Sequence, residues 1–140
     1  MEKIEVVAGV LYSEGHFLVA QRKKRKNEAW NGPSDAAQRW EFPGGKVENE
    51  SKEDALIREL YEELGIRVEV IEEICKISHS YFLKSSNTEM ERKKEYEIHF
   101  FYSKIKEGKP RAIECEQVAW VTPAQLDKLE LLDADKKALP

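Results

Sequence analysis

The sequence predicts one α/β domain, and three observations carry that expectation. Short runs rich in β-branched and aromatic residues recur along the chain. Residues 52–64 have the caps and apolar spacing of a helix. The two kinds of segment interleave without an internal repeat, a low-complexity tract or a second domain. A length of 140 residues suits a single domain with a real core. Charged residues reach 36%, which predicts a well-solvated surface, and the formal net charge of −4 argues against a dedicated DNA- or RNA-binding module. Cys75 and Cys115 form no C-x-x-C pair, so two small thiols in a reducing cytoplasm are expected rather than a disulfide framework. The opening MEKIEVVAGVL has no long apolar run or cleavage site, so no signal peptide is expected. No segment approaches a membrane span.

Taken in order, residues 4–12 (IEVVAGVLY) predict a strand, Ser13-Glu14-Gly15 a turn, and residues 16–22 (HFLVAQR) a second strand closing a hairpin. Gly9, inside the first strand, marks a bulge or a close backbone approach. Residues 23–39 are polar with an Asn-Gly-Pro breaker and predict a long exposed loop, with a helical turn near 34–38. The basic cluster at 23–26 is either a solvated loop or a cationic flap near a polyanionic ligand. Trp30 either covers an apolar site or pins the loop. Residues 40–43 lead as a short strand into a Gly44-Gly45 turn and an acidic loop.

Ser51 is a good cap for the helix 52–64. Glu53 and Asp54 suit its first turn, and Gly65 its stop. Leu56, Ile57, Leu60 and Leu64 predict its apolar stripe. Residues 67–83 alternate as a long or bent strand. A polar connection at 84–95 then joins it to a second strand at 96–105, the pair forming a hairpin. His79, Tyr81, His99 and Phe101 on these strands suit core or surface positions, Tyr81 alone being a candidate stacking surface. Gly108-Lys109-Pro110 turns the chain, residues 117–121 (QVAWV) give a short strand, and Thr122-Pro123-Ala124-Gln125 opens a helix reaching about residue 129. Residues 133–140 allow one more helical turn.

Chemistry concentrates on the central helix. Glu59, Glu62 and Glu63 stand at i, i+3 and i+4, neighbours on a helix surface. Three converging carboxylates are unfavourable unless something positive neutralises them, and a divalent metal is the natural candidate. The residues alone leave open a solvated face in which Arg58 pairs with Glu62.

Residues 44–66 resemble the Nudix box, the signature of the Nudix hydrolases. Gly44 is followed by five residues and Glu50, and seven more lead to Arg58-Glu59-Leu60-Tyr61-Glu62-Glu63-Leu64-Gly65-Ile66, so every fixed position is filled. The WEFPGGK segment is similar to that of the MutT-like pyrophosphohydrolases, which act on 8-oxo-dGTP- or CTP-type substrates. Counted from Gly45, as is usual there, the loop to Glu50 is one residue short. The resemblance implies the Nudix fold, a mixed β-sheet sandwiched between α-helices. It also implies hydrolysis of a nucleoside diphosphate linked to another moiety, by water attack at phosphorus with Mg2+ or Mn2+.

By the same resemblance, Glu59, Glu62 and Glu63 would bind metal, one of them also serving as base, and the Gly44 carbonyl would be a further ligand. Arg58 and Glu50 would pair to fix the loop against the helix. Arg22 and Lys46 would meet substrate, and Tyr81, read from its own aromatic ring rather than from the resemblance, is the candidate to stack on the base. Glu114, six residues before Trp120, would be a distant metal ligand, with Glu116 as its competitor. Asp135 would hydrogen-bond the base; an ionised carboxylate only accepts, which favours a base edge rich in N–H groups such as cytosine or 8-oxoguanine.

The implied reaction is Mg2+-dependent hydrolysis of an oxidised purine or cytidine-type triphosphate to the monophosphate and pyrophosphate. Hydrolysis of ADP-ribose or a dinucleoside polyphosphate is the alternative, its extra recognition coming from the 23–39 and 84–95 loops. A non-catalytic nucleotide sensor ranks below both, because the box keeps its acids. The expected partner is a small-molecule nucleotide, with no nucleic-acid polymer and no membrane. A homodimer is expected by analogy only.

Overall fold

The computed structural model describes residues 2–23, 39–84 and 91–128. In chain order the elements are β1 (Glu2–Ser13), β2 (His16–Gln21), β3 (Trp40–Glu41), β4 (Gly44–Lys46), α1 (Lys52–Leu64), β5 (Arg67–Lys84), β6 (Glu91–Glu107), β7 (Gln117–Val121) and α2 (Pro123–Lys128). The helical turns expected at 34–38 and 133–140 lie outside the described residues, as does Trp30.

β1 is the shared strand. On one edge it pairs in parallel with β6, from Glu2 opposite Lys94 to Leu11 opposite Ser103. On the other edge it pairs antiparallel first with β4, Val7 facing Gly45, and then with β2. β2 in turn pairs with β3 and β7, and β6 with β5, all antiparallel. The sheet is therefore mixed. The β1–β2 loop is two residues long, and Glu14 and Gly15 have φ of 48° and 82°, the positive values a tight type I′ hairpin demands.

Alternation along the strands sends successive residues to opposite faces. Val7, Leu11, Leu18 and Phe101 pack with Ala55, Leu56, Leu60 and Leu64 of α1. Their neighbours Ala8, Val19 and Phe100 pack instead with Phe42, Val121 and Leu126 of α2. One helix thus covers each face, giving the α-β-α layering that the box resemblance implied.

Both helices begin as expected. Ser51 Oγ accepts from the Asp54 amide at 3.0 Å, and Gly65, at φ 69°, donates to Tyr61 O to end α1. Thr122 Oγ1 accepts from the Gln125 amide, while Gln125 Oε1 accepts from the Thr122 amide, a reciprocal capping box.

Three expectations need correction. Ile57 is 37% exposed and Ala55 takes its place in the buried face. Gly44 and Gly45 form a strand beside β1 rather than a turn. The polar residues 91–95 belong to β6, because the β5 backbone, from Lys84 opposite Glu91 onward, pairs with them. β5 is bent as expected, with register shifts at Arg67/Val68, Val70/Glu72 and Glu73/Cys75. Gly9 keeps β1 in register with β6, so it is a close approach and not a bulge: a β-carbon there would stand 3.1 Å from Leu60 Cδ1.

Candidate active site

α1 is the platform. At about 100° per residue, Glu63 points about 60° from the buried Leu60 direction, Glu59 about 100° and Glu62 about 160°. The three carboxylates therefore do not share one exposed face. Glu59 turns inward, its side chain only 15% exposed, whereas that of Glu62 is 48% exposed.

The inward turn of Glu59 needs a glycine. A β-carbon on Gly45 would overlap the Glu59 carboxylate, and one on Gly44 would overlap the Val7 carbonyl of β1. Gly44 thus lets β4 lie against β1, and Gly45 lets α1 bring a carboxylate against β4.

The loop between β4 and α1 closes through Asn49 at φ 40°. Asn tolerates that left-handed region better than most residues. Glu50 Oε1 accepts from the Glu48 amide, and the Glu50 carboxylate meets Arg58 at 2.6 Å. Arg58 also donates to Glu59 at 2.9 Å, Glu62 at 3.4 Å and the Lys46 carbonyl at 3.1 Å. Its hydrogen bonds hold the Glu50 carboxyl below the usual range. The expected Glu50–Arg58 pair is present, but Arg58 does more than pin a loop. It gathers carboxylates from β4–α1 and from α1 itself.

Glu63 sits among charges from four places. Burial first, then Glu41 on β3, Glu59 and Glu114, push its carboxyl up to about 8, with Arg22 opposing. Burial also raises Glu59, against the pull of Arg58. Cys115 lies beside the same cluster: burial, Glu63 and Glu41 push its thiol up to about 11. Arg22, at the end of β2, donates from Nε to Glu41 Oε2 at 3.1 Å and from Nη2 to Glu41 Oε1 at 3.2 Å. Arg22 therefore faces Glu41 and acts on Glu63, while Arg58 faces Glu50, Glu59 and Glu62.

This donor set fits a hard divalent cation, which prefers carboxylate oxygens and would offset the burial and the neighbouring charges that raise Glu63. Among the described residues, the trio of potential ligand atoms lying within 4.8 Å of one another is elsewhere, at Glu5, Glu97 and His99. At the α1 cluster, Arg58 draws Glu59 and Glu62 toward itself.

Of the other expected site residues, Lys46 is exposed on β4 opposite Val6. Glu114 contributes to the field on Glu63, whereas the Glu116 amide donates to Gln21 O beside β2. The Tyr81 backbone pairs with Lys94 on β6, its side chain lying outside the described residues. Asp135 lies outside them too. Sequence reasoning missed Glu41 as a site residue. The signal was an acid between Trp40 and Phe42, two residues that face the core while Glu41 faces the cluster.

The chain is similar to known proteins. The chain matches the family described as NUDIX domain over residues 2–140. It is 35% identical over 136 residues to a CTP pyrophosphohydrolase of Escherichia coli (strain K12), covering 96% of this chain and 87% of that protein. It is 34% identical over 132 residues to a putative 8-oxo-dGTP diphosphatase 2 of Mycobacterium tuberculosis, covering 94% and 82%. Among solved structures it is similar to a MutT NUDIX hydrolase from Burkholderia pseudomallei, with a TM-score of 0.73, 26% identity and coverage of 99% and 96%.

Proposed function

The chain belongs to the NUDIX domain family, and from that premise we propose that it hydrolyses a nucleoside triphosphate to the monophosphate and pyrophosphate with Mg2+ or Mn2+. Oxidised purine and cytidine-type triphosphates are the substrates proposed, since the two similar proteins above are named for these two classes. The observation that carries this reading is the Arg58 fork on α1, which donates to Glu59 at 2.9 Å and to Glu62 at 3.4 Å, beside a Glu63 carboxyl that burial and the charges of Glu41, Glu59 and Glu114 push up.

A bound Mg2+ would supply charge neutralisation and a polarised phosphoryl oxygen there. Glu59, Glu62, Glu63, Glu114 and the Gly44 carbonyl are the proposed ligands. Arg58 holds Glu59 and Glu62 in place, and Arg22, steadied by Glu41, meets the polyphosphate. A cluster carboxylate takes a proton from the attacking water as its oxygen bonds to phosphorus. The α–β anhydride bond breaks, and the phosphate group on its far side leaves with the bonding pair, giving monophosphate and pyrophosphate. Lys46 at the exposed end of β4 is proposed to contact phosphate, and Tyr81 and Asp135 the base.

Among the described residues no helix is long and apolar enough to cross a membrane. Cys75 and Cys115 are free, which suits the reducing cytoplasm proposed as the compartment. A homodimer is carried over by analogy, and sedimentation velocity tests it.

The deciding experiment is a panel of nucleoside triphosphates, ADP-ribose and dinucleoside polyphosphates with Mg2+, scored for pyrophosphate, phosphate and monophosphate. Pyrophosphate with monophosphate from one triphosphate is the expected result. Tight binding without turnover of any compound would instead make the protein a nucleotide sensor.

A further inference from the structure

His99 lies on β6 under the α1 face of the sheet, with its side chain 3% exposed. Its Nδ1 lies 3.3 Å from Glu73 Oε2, so the tautomer that donates there presents Nε2 as the ring's free ligand atom. That Nε2 is buried and, among the described residues, makes no hydrogen bond. It stands 3.3 Å from Glu97 Oε1 and 3.9 Å from Glu5 Oε1. A buried polar atom without a partner is unfavourable, and here two carboxylate oxygens stand within 4 Å of it. Something positive belongs between them.

We propose that His99 Nε2, Glu97 Oε1 and Glu5 Oε1 form a second cation site, for Zn2+ or a similar nitrogen-accepting divalent ion, separate from the α1 carboxylate cluster. The spacing suits it. Ligands about 2.1 Å from a tetrahedral ion stand about 3.4 Å apart, and the two observed separations from Nε2, 3.3 and 3.9 Å, lie close to that. All three ligand atoms lie within 4.8 Å of one another.

The surroundings are those of a supported ligand. Glu73 on His99 Nδ1 reproduces the carboxylate–histidine–metal arrangement that orients ring ligands. Glu97 gives its other oxygen to Lys3 at 2.7 Å, and that bond keeps the carboxyl below its usual range. Oε1 is left for the ion. Three elements contribute: β1 through Glu5, β5 through Glu73, and β6 through Glu97 and His99. The Glu5 and Glu73 side chains are 44% and 37% exposed, which gives an ion a route in. The donor chemistry separates the two sites, since this one has an imidazole and the α1 cluster has only oxygen. An all-oxygen site holds Mg2+, whereas imidazole favours Zn2+.

Titration calorimetry of the full chain with ZnCl2 under saturating Mg2+ tests the site. One Zn2+ per chain is expected, lost in His99→Gln and weakened at least about 10-fold in Glu5→Gln. Glu5 is exposed enough for that variant to keep the fold, so it decides the matter even where His99→Gln does not fold. X-ray absorption of the Zn2+-loaded protein should show imidazole scattering that Glu5→Gln weakens and His16→Gln, at a remote turn, leaves intact. Binding unchanged in Glu5→Gln, an all-oxygen shell, or no Zn2+ uptake beyond a proton on His99 would overturn the proposal.

Discussion

Glu59 occupies the space that a side chain on Gly45 would need: a β-carbon there would overlap the Glu59 carboxylate, the far end of a flexible chain. Gly45→Ala should therefore leave stability nearly unchanged while swinging Glu59 away, with metal affinity and kcat/KM falling about 10–100-fold. Gly44→Ala meets the Val7 carbonyl and Ala8 Cα instead. Backbone cannot step aside, and a loss on the order of 3 kcal/mol is expected. Urea unfolding of both variants checks the contrast; equal stability losses would contradict it.

Burial, with the charges of Glu41 and Glu59, pushes the Glu63 carboxyl of the metal-free chain up from an ordinary 4.5 to about 8. Between those values the folded protein holds a proton that the unfolded chain has released, so stability falls as pH rises across the window. In EDTA, Tm should drop between about pH 5.5 and pH 8, and Glu63→Gln should flatten that slope. A wild-type Tm that climbs over the same range would show that burial does not govern this group. Glu50 does not interfere, because its lowered pKa confines its contribution to loss below 4.5. In activity assays with Mg2+, Glu63→Gln should lose at least about 100-fold in kcat.

Arg58 joins Glu50, Glu59, Glu62 and the Lys46 carbonyl. Lysine keeps the charge but loses the planar fork. Arg58→Lys should cost about 2 kcal/mol by urea midpoint, and it should raise the Mg2+ concentration needed for half-maximal activity, since Glu59 loses its anchor. Wild-type Mg2+ dependence would show that Arg58 holds the loop alone.

Glu114 adds its charge to Glu63, whereas Glu116 is placed beside β2 through its amide. Glu114→Gln should shift the Mg2+ dependence of activity about 10-fold, and Glu116→Gln should leave it alone. The reverse pattern would reassign the distant ligand. Mg2+ titrations of the two variants at fixed nucleotide are sufficient.

The local grammar of the chain is legible in its sequence. Ser51, Gly65 and the Thr122–Gln125 box each satisfy backbone groups within a few residues, so their roles need no distant partner. What the sequence hides depends on pairing over distance. The polar residues 91–95 look like loop because nothing in them announces that β5 will satisfy their backbone. Glu41 looks like one acid in a strand until β2 brings Arg22 against it from 19 residues away. Glu59, Glu62 and Glu63 look equivalent by spacing, but the packing of Leu60 against the sheet ranks them from inward to outward. His99 resembles an ordinary core residue because two of its three carboxylate neighbours, Glu5 and Glu73, come from other strands.

The shared strand also sets a timetable. β1 finds β2 within a two-residue turn, but its parallel partner lies across the chain, Glu2 opposite Lys94. Loop closure of that span comes before the contacts that reward it, which slows folding. During synthesis the α1 helix and its acids leave the ribosome well before β6, so one edge of β1 stays unpaired and open to the edges of other chains. Chaperone demand and inclusion-body formation should therefore track the rate at which residues beyond 91 are translated, whatever the final stability of the native enzyme.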